Sequence, residues 1–392
     1  MQEVYIVSMA RTPIGSFNGS LSDLTAVELG SIAIRAAIER AGIDASMVDE
    51  VFMGNVLQAN NGQAPARQAA LAAGVGSKTP CTTVNKVCAS GMKALMFAAQ
   101  AIRLGDADTV VAGGMESMTN APYYVPQGRN GMRYGNKELV DAIVRDGLQD
   151  PYQGFMMGIA AEMCADSCHI SREMQDAYAI ESYKRAAKAH AEGLFKDEIV
   201  SVEIPQRRGE PIVVSDDEEY KRFNEAKVGQ ISPAFKKDGT VTAVNASSIN
   251  DGAAALVLMS GDKVRALGLK PIAKIRSYAD AAQTPENFTT TPAKAIPKAL
   301  HKADIDIKNV DVFEINEAFA VVAVANNQLM ELSPDKVNVL GGAVSLGHPI
   351  GVSGARIICT LISALRYKNG KIGASGICNG GGGASAMVIE LL

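Results

Sequence analysis

Tryptophan is absent from the 392 residues, and aromatic side chains of all kinds make up 5% of them. The apolar share still reaches 47% against 20% charged, the balance of an ordinary globular chain long enough for two or three domains and a large core. Long runs of Lys or Arg are missing and the net charge is −4, which argues against a nucleic-acid partner. No apolar stretch approaches the roughly 18–20 residues of a membrane span. The opening, MQEVYIVSMARTP, carries Glu3 in too short an apolar run for a signal peptide and reads as a first strand entering a turn. The closing VIELL holds no retention or peroxisomal tripeptide. A cytoplasmic location is expected, or the mitochondrial matrix if a transit peptide has been removed. The dense cysteine framework of short secreted proteins is missing too: six cysteines, at 81, 88, 164, 168, 359 and 378, are scattered and read as reduced thiols. No GxGxxG follows a strand and no glycine loop ends in Lys–Ser/Thr, which excludes an NAD-dependent dehydrogenase and a phosphate loop.

Glycine is plentiful instead, at 37 residues, the mark of tight turns and close backbone approaches. An internal duplication organises the chain. AIRAAIERAGID at 33–44 resembles AIPKALHKADID at 295–306, an offset of 262. Val48–Asp49 matches Val310–Asp311 at the same offset, Asn55 matches Asn316 at 261, and the helix openings Ser90–Gly91 and Ser353–Gly354 match at 263. The offset then drops to 131 between DGAAALVL at 251–258 and GGASAMVI at 382–389, so about 130 residues are inserted in the first copy. The insertion contains a helix at 171–193, with Ser171 as N-cap and Gly193 as stop, and then a charged stretch, SDDEEYKR, at 215–222.

Each copy reads helix, strand, helix, strand, strand. The expected class is α/β, with mostly parallel sheets covered by helices, the two copies placing two sheets side by side. Ligands in such sheets gather at the carboxyl ends of strands. The expected units are 1–118 with 250–268, an inserted 119–249, and 269–392.

Four segments carry chemistry. In NKVCASGMKA (85–94), Cys88 lies in a small-residue turn just before a helix, whose unpaired N–H groups favour thiolate over thiol; the plainer reading is a buried structural cysteine. In GGAVSLGHPIGVSGAR (341–356), His348 sits between Gly347 and Pro349 on a turn, where a substrate can approach. The other histidines, His169, His190 and His301, read as helical and structural. In GICNGGGGASA (376–386), Cys378 ends a strand and enters four glycines, whose N–H groups can face an anionic oxygen. In NEAFA (316–320), Asn316 ends a strand, where it can hold a water or serve as an ordinary N-cap for the helix that follows. Cys164, Cys168 and His169 lie in one helical stretch and do not make a closed zinc site, so they read as packing.

These segments, with GGMESMTNAPY (113–123), resemble the signature segments of the thiolase family over essentially the whole chain. The resemblance implies a thiolase-like fold: two duplicated αβ halves forming a five-layer αβαβα core, with the insertion as a loop domain that binds coenzyme A. It implies that Cys88 carries the acyl group, His348 takes its proton, and Cys378 moves the α-proton of the second acetyl-CoA. Asn316, through a water, and His348 would hold the thioester oxygen, and the backbone N–H groups of Cys88 and Gly380 the tetrahedral intermediate. Leu148, Met157, Arg222, Phe235, Ala243, Ser247, Ala318 and Phe319 would line the coenzyme A path. The substrates would be acetyl-CoA, acetoacetyl-CoA and coenzyme A, with no metal or redox cofactor required, in a homo-oligomeric dimer of dimers.

Met156–Met157–Gly158 departs from the His–Met–Gly of many biosynthetic members, while Tyr183, EYKR (219–222) and Phe288 are similar to potassium-activated acetoacetyl-CoA thiolases. That likeness implies a potassium site from Tyr183 and the carbonyls near Ala243, Val244, Ala246 and Val344. Competing readings are a broad-chain 3-ketoacyl-CoA thiolase of fatty-acid β-oxidation, a related condensing synthase and a silent lipid-carrier homologue. The second cysteine, Cys378, argues against the synthase, and the full set of four chemical residues argues against the carrier.

Overall fold

The computed structural model describes residues 2–392. The first half runs β1 (Val4–Arg11), α1 (Ala26–Ala41), β2 (Glu50–Gly54), α2 (Pro65–Ala72), β3 (Cys81–Val84), α3 (Ser90–Leu104) and β4 (Thr109–Ser117). The next stretch supplies α4 (Met157–Ser167) and α5 (Arg172–Ala191), and the chain returns as β5 (Asn250–Ser260). The second half is β6 (Ala273–Ala282), α6 (Pro292–Ala303), β7 (Val312–Ile315), α7 (Ala320–Leu329), α8 (Ser353–Lys368), β8 (Ile372–Asn379) and β9 (Gly383–Leu391).

Local signals set the helix ends. Thr25 and Glu28 form a reciprocal capping box at α1, and Gly42 closes that helix at φ 66°. Ser171 caps α5 by accepting from Met174 N at 3.3 Å.

The strands pair in the order β7-β8-β9-β6-β1-β5-β4-β2-β3. Read outward from the centre, β1-β5-β4-β2 mirrors β6-β9-β8-β7, so the duplication is visible in the topology. β3 has no counterpart and ends the sheet just before Cys88.

Two expectations are corrected here. The sheet is not mostly parallel: only β2 with β3, β2 with β4 and β7 with β8 run parallel among these neighbours, and the other pairs are antiparallel. β9 returns from β8 through a tight glycine turn, which permits only an antiparallel neighbour. Nor are the two sheet layers separate: β1 and β6 pair at Tyr5–Lys274 and Ile6–Ala273 and join the halves.

The layers follow from burial. Every residue of α8 from Ser353 to Leu365 is buried, the pattern of a helix enclosed on all sides. It packs against α3 and against strands of both halves, with Met92, Leu95, Ile358 and Leu361 in the shared core. Outside the first half, α1 and α2 cover a second core around Leu29, Ile34 and Val257. Outside the other half, α6 covers a third around Ile296, Leu300 and Val388. The sequence of layers is therefore helix, sheet, helix, sheet, helix.

Candidate active site

The duplicated Ser–Gly pairs bring the two halves together. A Cβ on Gly91 would lie 2.8 Å from Ala355 N, and one on Gly354 would lie 2.4 Å from Met92 N. α3 and α8 thus cross at their first turns at a separation that needs glycine on both. The turns that carry Cys88 and His348 lead into that crossing from the two halves.

Cys88 follows Val87, which holds φ at 48°, a strained value for a β-branched residue. Ser90 secures the turn: its Oγ accepts from Lys86 N at 2.8 Å and donates to Val87 O at 2.6 Å. The backbone N–H groups of Gly380 and of Cys88 itself lie near enough to favour the charged form of the Cys88 sulfur. Burial nevertheless pushes the Cys88 thiol up to about 11, outweighing those two donors. The expectation of a resting thiolate is therefore corrected: apolar surroundings, including Val56, Leu57 and Ile350, dominate the helix terminus.

His348 is 5% exposed and sits in a cradle of hydrogen bonds. Its backbone N–H donates to Asn250 Oδ1 at 2.8 Å, its Nδ1 lies 2.6 Å from Ser353 Oγ, and its Nε2 lies 3.4 Å from Asn316 Nδ2. Burial lowers the imidazole to about 3, with the Arg356 charge adding to the effect, so the ring is neutral and able to accept a proton. A neutral thiol beside a neutral imidazole needs proton transfer during attack rather than before it.

Asn316 is 1% exposed and lies just beyond β7. The N-cap of α7 is Phe319, so the ordinary capping reading of Asn316 is set aside. Its Oδ1 is buried with no hydrogen-bond partner among the protein's own donors. Cys378 lies at the carboxyl end of β8, fully buried, and burial followed by the proximity of Cys88 raises its thiol well above the usual range.

The residues expected along the coenzyme A path divide. Met157, Phe235, Ala318 and Phe319 share one apolar cluster with Cys378, with the Phe235 and Phe319 rings edge to face at 6.2 Å. Ser247 Oγ donates to Ala318 O at 2.8 Å. Leu148 packs with Cys88 on the other wall. Ala243 is exposed. Arg222 is exposed, 3.7 Å from Glu219, and lines a separate surface hollow of about 360 Å³ with Ser20 and Val214.

Tyr183, Val244 and Val344 meet in one cluster, with Tyr183 stacked on Phe223 at 4.2 Å, and Ala246 bridges to Phe319. His169 is not helical; it is exposed in the turn after α4 at φ 54°, because α4 ends at Ser167. His190 and His301 do lie on helices. Among the described residues no group of three or more His, Cys, Asp or Glu side chains is arranged to hold a metal ion.

Four buried polar residues escaped the sequence reading. Asn250 and Ser353 hold His348. Glu116 accepts from Asn55 Nδ2, Val56 N, Leu57 N and Gly351 N, tying the first half to the His348 loop. Glu317 accepts from Tyr178, Ser182, Asn338 and Val344 N, tying α5 to the Asn316 loop. The available signal was a lone acid within an apolar run, as in GGMES and INEAF.

Two thiols and a neutral imidazole at the meeting of two duplicated halves define the class, a cysteine-dependent acyltransferase. The family models for the thiolase N-terminal and C-terminal domains match residues 4–262 and 269–391. The chain belongs to the thiolase family. It is 60% identical to an acetyl-CoA acetyltransferase of Schizosaccharomyces pombe, over 99% of this chain and 98% of the relative. A cytosolic acetyl-CoA acetyltransferase of Gibberella zeae is 58% identical over 99% and 98%. The crystal structure of the Acat5 thiolase from Ascaris suum in complex with coenzyme A superposes with a TM-score of 0.95 at 48% identity, covering 100% of both chains.

Proposed function

We propose that the chain condenses two acetyl-CoA to acetoacetyl-CoA and coenzyme A, and runs the reverse thiolysis, through an acetyl group on Cys88. The observation that carries this reading is the approach of the Gly380 turn of one half to the Cys88 turn of the other, where a Cβ on Gly380 would lie 3.7 Å from Val87 Cγ1. His348 Nε2 takes the Cys88 proton as the sulfur attacks the thioester carbon. The N–H groups of Cys88 and Gly380 donate to the oxygen that becomes negative. Coenzyme A leaves as its thiol, taking the proton from His348. Cys378 passes its thiol proton to the now neutral His348 and, as thiolate, removes the α-proton of a second acetyl-CoA. Its thioester oxygen is held by the protonated His348 and by a water on Asn316. The new carbanion attacks the acetyl carbon, and Cys88 leaves as thiolate and takes the proton back from His348.

The close identity to acetyl-CoA acetyltransferases favours this reaction over a broad-chain β-oxidation thiolase, despite Met156 in place of the histidine common in biosynthetic members. The reading includes a division at 118, 250 and 268, with 119–249 binding coenzyme A by Leu148, Met157, Phe235, Ala243, Ser247, Ala318, Phe319 and Arg222. It includes a potassium ion held by Tyr183 and the carbonyls near Ala243, Val244, Ala246 and Val344. The nearby carboxylates of Glu219 and Glu317, which raise the Tyr183 phenol after burial does, suit a cation there. It also includes a dimer of dimers, supported by the sheet ending at β3 and by exposed Tyr123, Met132, Tyr134 and Leu139 in the insertion. A cytoplasmic location is supported by the cytosolic relative.

The test is loss of the magnesium–enolate absorbance of acetoacetyl-CoA on adding coenzyme A, beside longer and 2-methyl-branched 3-ketoacyl-CoAs, in potassium and in sodium. Acetoacetyl-CoA should be cleaved fastest. Equal rates on long chains would replace this reading with the β-oxidation one, and equal rates in both salts would remove the potassium site.

A further inference from the structure

We propose that Ser353 is a positioning residue of the reaction, fixing the tautomer and the aim of His348 so that Nε2 is left free for the Cys88 proton. The proposal rests on His348 acting as the base, as read above.

The argument is one of counting protons. Ser353 Oγ lies 3.0 Å from Pro349 O and 2.6 Å from His348 Nδ1. A carbonyl oxygen can only accept, and a serine has a single proton to give. With that proton on Pro349 O, the bond to the imidazole forms only if Nδ1 carries hydrogen and donates to Oγ. Neutral imidazole has one N–H, so Nε2 is then the bare nitrogen. The contact on that side agrees, because the neighbour of Nε2 is the amide donor Asn316 Nδ2.

The donation from Ser353 to Pro349 O is the back-bond a serine makes to the carbonyl four residues earlier at a helix start. It locks the hydroxyl rotor and leaves its lone pairs facing the ring. Asn250 fixes the other end of the same residue by accepting from the His348 backbone N–H at 2.8 Å. Main chain and ring are thus held by two different elements, β5 and α8. Ser90, the duplicated counterpart, uses the same geometry differently: its Oγ donates back to Val87 O and accepts from Lys86 N rather than from a ring. One inherited serine secures the nucleophile's turn, and the other secures the base.

The full-length protein labelled with nitrogen-15 in histidine tests the assignment, the His348 signals being those lost in His348→Asn. The wild-type ring should show its proton on Nδ1. Ser353→Ala should give a mixture of tautomers and slow acetylation of Cys88 on the order of 10²-fold, with the KM for acetyl-CoA changed by no more than about twofold. Ser353→Thr, which keeps the hydroxyl, should restore the tautomer and most of the rate. A wild-type His348 protonated on Nε2 overturns the proposal without any variant, and so does a Ser353→Ala protein with unchanged tautomer and acetylation rate. Should Ser353→Ala fail to fold, the wild-type tautomer and the threonine variant decide. Near-normal turnover of His348→Asn would instead reject the base itself.

Discussion

Asn55 and Asn316 stand at matching places in the two halves, each just beyond the end of an equivalent strand, β2 and β7. Their surroundings differ. Asn55 Nδ2 donates to Glu116 Oε1 at 2.7 Å and to Met115 O at 3.1 Å. Glu116 is the penultimate residue of β4, and the matching position in β8, at the duplication's offset of 263, is Asn379. No carboxylate answers Asn316, whose Oδ1 is left without a partner. Where the duplicated polar group has been paired off, the position ties strands together. Where it has been left open beside His348, it can serve a substrate.

The largest effect expected concerns the thiols that each half contributes. Cys88→Ala should form no acyl-enzyme at all, whereas Cys378→Ala should still accept an acetyl group on Cys88 and then stall before the carbon–carbon bond. Intact mass and peptide mapping after acetyl-CoA addition, with wash-out of α-deuterium, read both steps. An acetylated Cys88→Ala beside an unreactive Cys378→Ala would reverse the roles.

Next comes the asparagine pair itself. Asn316→Ala should lower kcat by about 10²–10³-fold, the scale for losing an oxyanion-stabilising donor, with stability almost unchanged. Asn55→Ala should do the opposite, losing about 1.5–3 kcal/mol of stability by removing one of the four donors to Glu116, with kcat close to normal. Steady-state rates beside urea midpoints separate the two. Equal losses of kcat in both variants would erase the distinction between the halves.

The smallest effect is in pH. His348 is lowered to about 3 in the fold, against an unfolded value near 6.5. The stability it carries as a neutral ring is fully present above about 6.5 and is lost as pH falls below that, because only the unfolded chain takes up the proton. Wild type should therefore lose melting temperature relative to His348→Asn between pH 6.5 and 5. A gap that is constant across that range would mean that the ring titrates normally.

Cys88 and His348 were legible as residues because glycine-rich turns at duplicated helix starts expose a side chain that a regular element would bury. Asn316 was legible as a place, a strand end, but capping and catalysis read alike until α7 was seen to start four residues later. Sheet direction was not legible, since short apolar runs look the same whether their neighbours run parallel or antiparallel. His169 was misread because α4 gives no sequence signal for stopping just ahead of it. Glu116, Glu317, Asn250 and Ser353 were missed as site residues because their meaning lies in partners. Glu116 meets Gly351, and Asn250 meets His348, only after the halves have closed on each other.

By itself the sequence determined the internal duplication, the reactive residue types and the capped helix ends such as Thr25 and Ser171, because these depend on local propensity and on spacing along one chain. The tertiary structure alone decided the surroundings that shift the reactive groups. Burial, not the helix terminus, keeps Cys88 a neutral thiol. Burial also keeps His348 a neutral base. The desolvation that shifts both groups comes from side chains of two halves and an insertion that no local stretch of sequence brings together.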